Sequence, residues 1–306
     1  MQLPVTVRRI IEARAEGAGF PALKRASAAL SDAYREGRPT RIAGDDHVTA
    51  YLVTRMPATY AAARAALEEL PGLSPRSVLD IGAGSGAAAL AARDRFPAAA
   101  TFTLVERDPS LADAAREFLP EANVLASDAS ALRDLPAHDL VIAAYSLGEI
   151  QADLVLRLWA AAQAALVVIE PGTPRGAARI ASIREQLLAL GAHMAAPCPA
   201  AMPCPLAGPD WCHFAARVER SSLHRRLKGG ELGYEDEKFS YVAVTRQPAD
   251  TCGARVLRHP RHHPGLIQLE LCTAAGPRHE RIAKRDRERF RAARKTAWGS
   301  RFPGDA

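Results

Sequence analysis

The sequence is short of several things, and each shortage excludes something. No apolar run reaches the roughly eighteen residues of a membrane-spanning helix; the best stretch, Leu154 to Val168, is broken by Arg157 and Gln163. The opening residues, MQLPVTVRRIIEARAEG, lack the apolar centre and small-residue cleavage site of a secretory signal, and they carry acids that a transit peptide avoids. The expectation is a cytoplasmic protein that does not engage membranes. Lysine is scarce, with five residues among 40 Lys and Arg. In an Ala-rich chain such a skew follows genome base composition as readily as nucleic-acid binding, so the arginine count carries little weight by itself. No C-x2-C pair is present, so the short zinc knuckle is excluded. There is no internal repeat, and the free chain is expected to be monomeric.

What is present is an ordinary globular composition, 48% apolar and 24% charged over 306 residues, enough for one large domain or two. Residues 1–70 read as helical, with a second periodic stretch from Val48 to Leu70. From Ser77 short apolar strands alternate with Ala-rich helices: SVLDIG, a helix to Phe96, TFTLVE, a helix to Phe118, NVLAS, DLVIAAYS, a helix to Ala165, LVVIEPG and a helix to Leu190. Such alternation predicts an α/β fold with a doubly wound, mostly parallel sheet. The core is expected over 71–248, with a Cys-rich, loop-built insertion at 191–240. Residues 249–306 are expected to supply further strands, a basic helix over RIAKRDRERFRAARKTAW and a frayed tail from Gly299. The charge is concentrated there. Between Arg278 and Arg301 ten bases face three acids, a surplus that exceeds the net +6 of the whole chain. Phosphate contact is the favoured reading of that stretch. From Arg217 to Lys238 bases and acids alternate instead, and internal ion pairs account for most of them.

The segment Val78-Leu79-Asp80-Ile81-Gly82-Ala83-Gly84-Ser85-Gly86 falls where the first core strand meets the following helix. Glycines there let the backbone turn tightly and approach a ligand, and a helix amino end offers unpaired N–H groups. Glu106 ends the next strand, 20 residues after Gly86, where a carboxylate accepts from ribose hydroxyls. Three details favour S-adenosylmethionine over nicotinamide or flavin: the G-x-G-x-G spacing, Asp80 two residues before the first glycine to meet an ammonium group, and Asp128 after the third strand to meet an adenine amino group. Together they resemble the class I S-adenosylmethionine methyltransferase signature. After the fourth strand, Ala143-Ala144-Tyr145-Ser146-Leu147-Gly148-Glu149 replaces the Asn/Asp-Pro-Pro-aromatic element of many amino-group methyltransferases. Tyr145 and Glu149 could line the site, but no catalytic residue is identified. Methyl transfer relies largely on positioning, so it need leave no nucleophile in a sequence.

All five cysteines lie late in the chain: Cys198, Cys204 and Cys212 in APCPAAMPCPLAGPDWCHF, then Cys252 and Cys272. The first three stand among Pro and Gly with no apolar period, which favours metal binding over small core thiols. Spacing leaves the fourth ligand open among Cys252, Cys272 and His213. Zinc accepts four thiolates or three with an imidazole; a [4Fe-4S] cluster prefers four thiolates.

Longer motifs carry a family resemblance. Asp210-Trp211-Cys212-His213-Phe214, Arg220-Ser221, His224-Arg225 and the run from Tyr234 to Tyr241, YEDEKFSY, resemble the mitoribosomal small-subunit methyltransferase-like assembly factors and their bacterial relatives. The similarity extends to YLVTRMPATY at Tyr51 to Tyr60 and to RKTAWG at Arg294 to Gly299, so it covers most of the chain. It implies a class I methyltransferase core, association with the small ribosomal subunit during its maturation, and an iron–sulfur cluster, expected as [4Fe-4S], held by Cys198, Cys204, Cys212 and Cys272; the spacing by itself leaves zinc as the alternative metal. Ala200 and Ala201 stand where relatives often show His, a departure that leaves the thiols untouched. The expected function is S-adenosylmethionine-dependent methylation of, or binding to, small-subunit ribosomal RNA in ribosome assembly. The alternatives are a non-catalytic assembly factor using the fold as a scaffold, and a protein or small-molecule methyltransferase with a zinc-held lid.

Overall fold

In the computed structural model, which describes residues 1–35, 42–147, 152–206 and 210–304, the chain opens with four helices: α1 (Val5–Gly17), α2 (Phe20–Arg35), α3 (Asp45–Thr54) and α4 (Met56–Glu68). Pro57 falls in the first turn of α4, where its missing N–H costs nothing. The alternating region then forms β1 (Ser77–Ile81), α5 (Ala87–Arg95), β2 (Thr101–Glu106), α6 (Pro109–Phe118), β3 (Asn123–Ala126), β4 (His138–Ala144), α7 (Ala152–Ala161), β5 (Ala162–Pro171) and α8 (Pro174–Ala189). Helix starts are written locally. Asp108 accepts from the Ser110 and Leu111 amides ahead of α6, Thr173 accepts from the Gly176 amide ahead of α8, and a proline follows each cap.

The remaining elements are β6 (His193–Ala196), β7 (Phe214–Glu219), α9 (Ser222–Lys228), β8 (Tyr234–Thr245), β9 (Ala254–Val256), β10 (Arg261–His263), β11 (Leu266–Thr273), β12 (Gly276–Ala283), α10 (Arg287–Ala293) and β13 (Arg301–Phe302). The main sheet runs β3-β2-β1-β4-β5-β8-β6, with β7 also on β8. Pairing is parallel from β3 through β5 and antiparallel at β8. The expected doubly wound, mostly parallel sheet is therefore present. Successive strand residues point to opposite faces. Val78, Leu104, Ile142, Val167 and Ile169 join one apolar cluster with α3 to α5, whereas Leu79, Ile81, Val105, Val141 and Val168 join another with α7 and α8. Both faces are covered, which is why the strands read as nearly unbroken apolar runs.

Four sequence expectations are corrected. The helix drawn to Ala165 ends at Ala161, because Ala162 to Ala165 lie against β4 or β8 as strand. The segment 191–240 is not loop-built throughout: β6 and β7 take successive lengths of the 12-residue β8, so main-sheet pairing holds both ends of the Cys-rich stretch. The basic end is not one helix. Arg281 to Ala283 belong to β12, paired along its length with β11, and the helix is confined to Arg287–Ala293. Ladder formation overrides the helical preference of Arg and Ala there. The tail from Gly299 is not frayed through Phe302: β13 pairs with β9, and Phe302 is buried in the small core formed by β9, β11, β12 and α10. Among the described residues no helix is long and apolar enough to cross a membrane.

Candidate functional site

The strand order turns back at β1, which has β2 on one side and β4 on the other, so a crevice opens beyond the carboxyl ends of β1 and β4. The glycine loop fills that position. Gly82 and Ala83 donate to Val105 O at 2.8 and 3.1 Å, which fixes the loop against β2. Gly82, Gly84 and Gly86 have φ of 65°, 55° and 80°, a region that favours glycine. A Cβ on Gly82 would lie 2.3 Å from Ser146 Cβ, so the loop after β1 and the loop after β4 touch.

Asp80 is buried. One carboxylate oxygen accepts from the Ala89 amide at 3.0 Å inside the first turns of α5, and the other has no partner. Burial, opposed by the Ala89 amide and reinforced by the negative Glu106, pushes its pKa up to about 7. Glu106 is also buried; its two oxygens accept from the Gly84 amide at 2.7 Å and the Asp108 amide at 2.8 Å. The carboxylate expected to meet a ribose thus also clamps the loop that would cradle the rest of the ligand. Asp128 is exposed and accepts from both the amide and hydroxyl of Ser130, bonds that hold its pKa below the usual value. Tyr145 has a φ of 56°, donates its amide to Ile169 O at 2.8 Å and its hydroxyl to Glu237 at 3.0 Å. Glu149 lies outside the described residues.

Three polar groups at this site were not singled out from sequence. Tyr51 of α3 brings its hydroxyl over Gly84, 3.0 Å from where a Cβ would stand, and burial pushes its pKa up to about 12. Ser85 and Ser146 hold buried hydroxyls without hydrogen-bond partners. The helical period of α3 placed Tyr51 in a helix without saying what it faced. The left-handed backbone of the glycine loop and the unpaired oxygens of Asp80, Ser85 and Ser146 fit a ligand that presents an ammonium group and hydroxyls.

A second site lies beyond β6. Cys198, Cys204, Cys212 and Cys272 line one cavity of about 360 Å³. Cys212 is positioned by its own backbone, since its carbonyl accepts from Ser240 Oγ at 2.7 Å, and by the Trp211 indole, which donates to Gly172 O at 2.9 Å. Cys272 projects from β11. Cys252 is buried to one side with its thiol towards Pro197 O, and His213 is packed between Trp211 and Trp298. Neither lines the cavity. Burial raises the pKa of Cys198 and Cys212, and pushes Cys272 up to about 12, so these thiols hold their protons until a cation displaces them. Among the described residues no three His, Cys, Asp or Glu side chains stand close enough together to hold one metal ion. Beyond the cavity, part of the charged stretch pairs internally, Arg217 with Asp236, and Arg220, His224 and Lys228 with Glu235, whereas Glu219 and Glu237 accept from Gln2 and from the Tyr145 hydroxyl.

Sheet order, glycine loop and flanking acids together define a class I methyltransferase-like protein. The chain belongs to the family described as mitochondrial small ribosomal subunit Rsm22, whose sequence model matches residues 45–303. It is 25% identical to Rsm22-cox11 tandem protein 2, mitochondrial, and equally to tandem protein 1, both of Schizosaccharomyces pombe, with 86% of this chain and 44% of each relative covered. The chain therefore spans less than half the length of these curated relatives. Among solved structures it is similar to a precorrin-6y C5,15-methyltransferase from Geobacter metallireducens (TM-score 0.41, 16% identity, 60% of this chain and 87% of that one). It is also similar to the plantazolicin methyltransferase BpumL in complex with SAH (TM-score 0.41, 13% identity, 79% and 100%). The expected cytoplasmic location is overturned: the matching family is described as mitochondrial, and both yeast relatives carry mitochondrial names.

Proposed function

We propose that this protein binds S-adenosylmethionine through its glycine loop, carries a [4Fe-4S] cluster in the four-cysteine cavity, and acts on or binds small-subunit ribosomal RNA during ribosome assembly. The observation that carries the reading is the pairing of two prepared sites in one chain of this family. A left-handed glycine loop follows a buried Asp80 with one carboxylate oxygen unpartnered, and three thiols of the stretch between β6 and β7 share one cavity with a thiol of β11. S-adenosylmethionine supplies an electrophilic methyl group when bound. Asp80 would meet its ammonium group, Gly82, Gly84 and Gly86 would admit its backbone-like portion, Glu106 the ribose, and Asp128 the adenine, while Tyr145 borders the crevice. Four thiols line the cavity, the number a [4Fe-4S] cluster prefers, whereas one zinc ion also accepts three thiolates with an imidazole, and His213 stands outside the lining.

A second reading, a non-catalytic assembly factor, is favoured by the loop after β4. Tyr145 is committed to Glu237, and Ser146 abuts Gly82, where many methyltransferases place a substrate-binding element. Titration calorimetry with S-adenosylmethionine, followed by transfer of labelled methyl to immature small subunits, separates the readings. Binding with transfer is expected of the enzyme; binding without transfer leaves the scaffold; absence of binding rejects the cofactor assignment. Iron and sulfide analysis of anaerobically purified protein tests the cluster, and stoichiometric zinc without iron would reject it.

A further inference from the structure

Two cations are sealed into the wall of the cysteine cavity. Arg184 of α8 is 3% exposed and Arg255 of β9 is 1% exposed, and both line the cavity with the four thiols. A buried guanidinium is costly unless its charge and its N–H groups are answered. Arg255 donates Nε to Pro197 O at 2.9 Å, and Nη1 to Glu69 and to Gly299 O at 2.8 Å each; its Nη2 has no partner. Arg184 donates through Nη1 to Glu185 and through Nη2 to the carbonyls of Ala200 and Met202, and its Nε has no partner. Each charge is answered only in part. Glu69 is shared between Arg255 and Arg301, and Glu185 is half exposed, where water screens it.

Position makes the surplus specific. Arg255 and Cys272 are cross-strand partners in the β9–β11 pair, so their side chains leave the sheet on the same face. Arg184 supports the loop from Ala200 to Met202, between Cys198 and Cys204. A [4Fe-4S] core bound by four thiolates is a net anion whose sulfurs accept hydrogen bonds, and both charge and hydrogen bonds move its potential. We propose that Arg184 and Arg255 are positioning residues for that group: built-in counter-cations whose free N–H groups turn to sulfur, raising the cluster's reduction potential and slowing its loss. The inference rests on the cluster assigned above.

The test uses the full chain purified anaerobically. Iron and sulfide are first measured on the unaltered protein. Reduction is then titrated with dithionite and followed by electron paramagnetic resonance, and iron release to a chelator is timed. Arg184→Gln is expected to move the midpoint to more negative potential and to release iron several-fold faster, with Arg184→Lys returning most of both; Arg255→Gln and Arg255→Lys should behave likewise. If a Gln variant does not fold by circular dichroism, the Lys variants decide, since retained charge predicts a midpoint near the unaltered one and a negative shift with iron bound overturns the proposal. An Arg184→Gln protein that folds with unaltered midpoint and release rate also overturns it. Absence of iron and sulfide from the unaltered protein removes the cluster itself, a different outcome from iron present and no shift.

Discussion

Gly82 sits at a φ of 65° with Ser146 directly opposite, so Gly82→Ala faces both backbone strain and a collision. Strain of this kind costs about 1–3 kcal/mol. The variant is expected to unfold at lower urea and to lose S-adenosylmethionine binding, and Ser146→Gly should recover the part due to collision but not the part due to φ. Full recovery in the double variant would show that the left-handed backbone is not needed. Asp80 offers a second test, in pH. Its carboxyl ionises at about 7 in the folded protein and at 3.8 when unconstrained, so between those values the folded state holds more protons than the unfolded state. Stability contributed by this group is thus greatest at low pH and declines as pH rises towards about 7, the reverse of a salt-bridged carboxylate. An ammonium ligand prefers the ionised form, so affinity for S-adenosylmethionine should rise through the same range. Calorimetry from pH 5.5 to 8 with Asp80→Asn as control decides the point: the variant should bind weakly with little slope, and an equal slope would assign the dependence to another group.

At the scale of elements, legibility followed locality. The strands from Ser77 to Ala144 could be read because their apolar runs lie within a few positions of the structure they make. The glycine loop and its acids could be read for the same reason. Tyr51 reaches the loop from α3, and Ser146 reaches it from the far end of β4, approaches that no local pattern encodes. The C-terminal misreading has the opposite cause: Arg281 to Ala283 have helical propensity, but their partners in β11 lie a hairpin away. The correction alters how the basic surface is tested. Removing residues 278–306 would strip β12 and Phe302 from the small core as well as charge. Neutralising the exposed Arg281, Lys284, Arg285 and Arg287 leaves that packing in place. The fourfold Gln variant is expected to melt near the unaltered temperature. Its binding to small-subunit RNA should weaken, with the slope against salt reduced by about one for each phosphate that the surface no longer neutralises. An unchanged slope would take this turn out of the interface.

Across the whole molecule, the C-terminal sheet meets the rest at several contacts, the Trp298 indole on His213 O and Arg258 on Asp210 among them, and two further points are coupled. Glu69, just past α4, accepts from Arg255 Nη1 at 2.8 Å and Arg301 Nε at 3.0 Å, while its carbonyl accepts from Arg301 Nη2 at 2.7 Å. The other point is the cysteine cavity, where Cys272 of β11 faces Cys198, Cys204 and Cys212 from the stretch between β6 and β7. A group bound by all four thiols would join the small core of β9, β11 and β12 to the main sheet by bonds stronger than the packing between them. The two fastenings share Arg255, so weakening either should expose the other. Glu69→Gln is expected to raise hydrogen exchange in β9 and β13 and to speed iron loss, with β1 and β4 unchanged. Cys272→Ser should lose iron and loosen the same strands, whereas Cys252→Ser, whose thiol lies off the cavity, should keep iron. Equal iron loss from both serine variants would mean that the fourth ligand is not selected by the cavity. Exchange that rose uniformly after Glu69→Gln would mean that the sheets unfold as one unit, and the contact at Glu69 would then stabilise the whole molecule without coupling its parts.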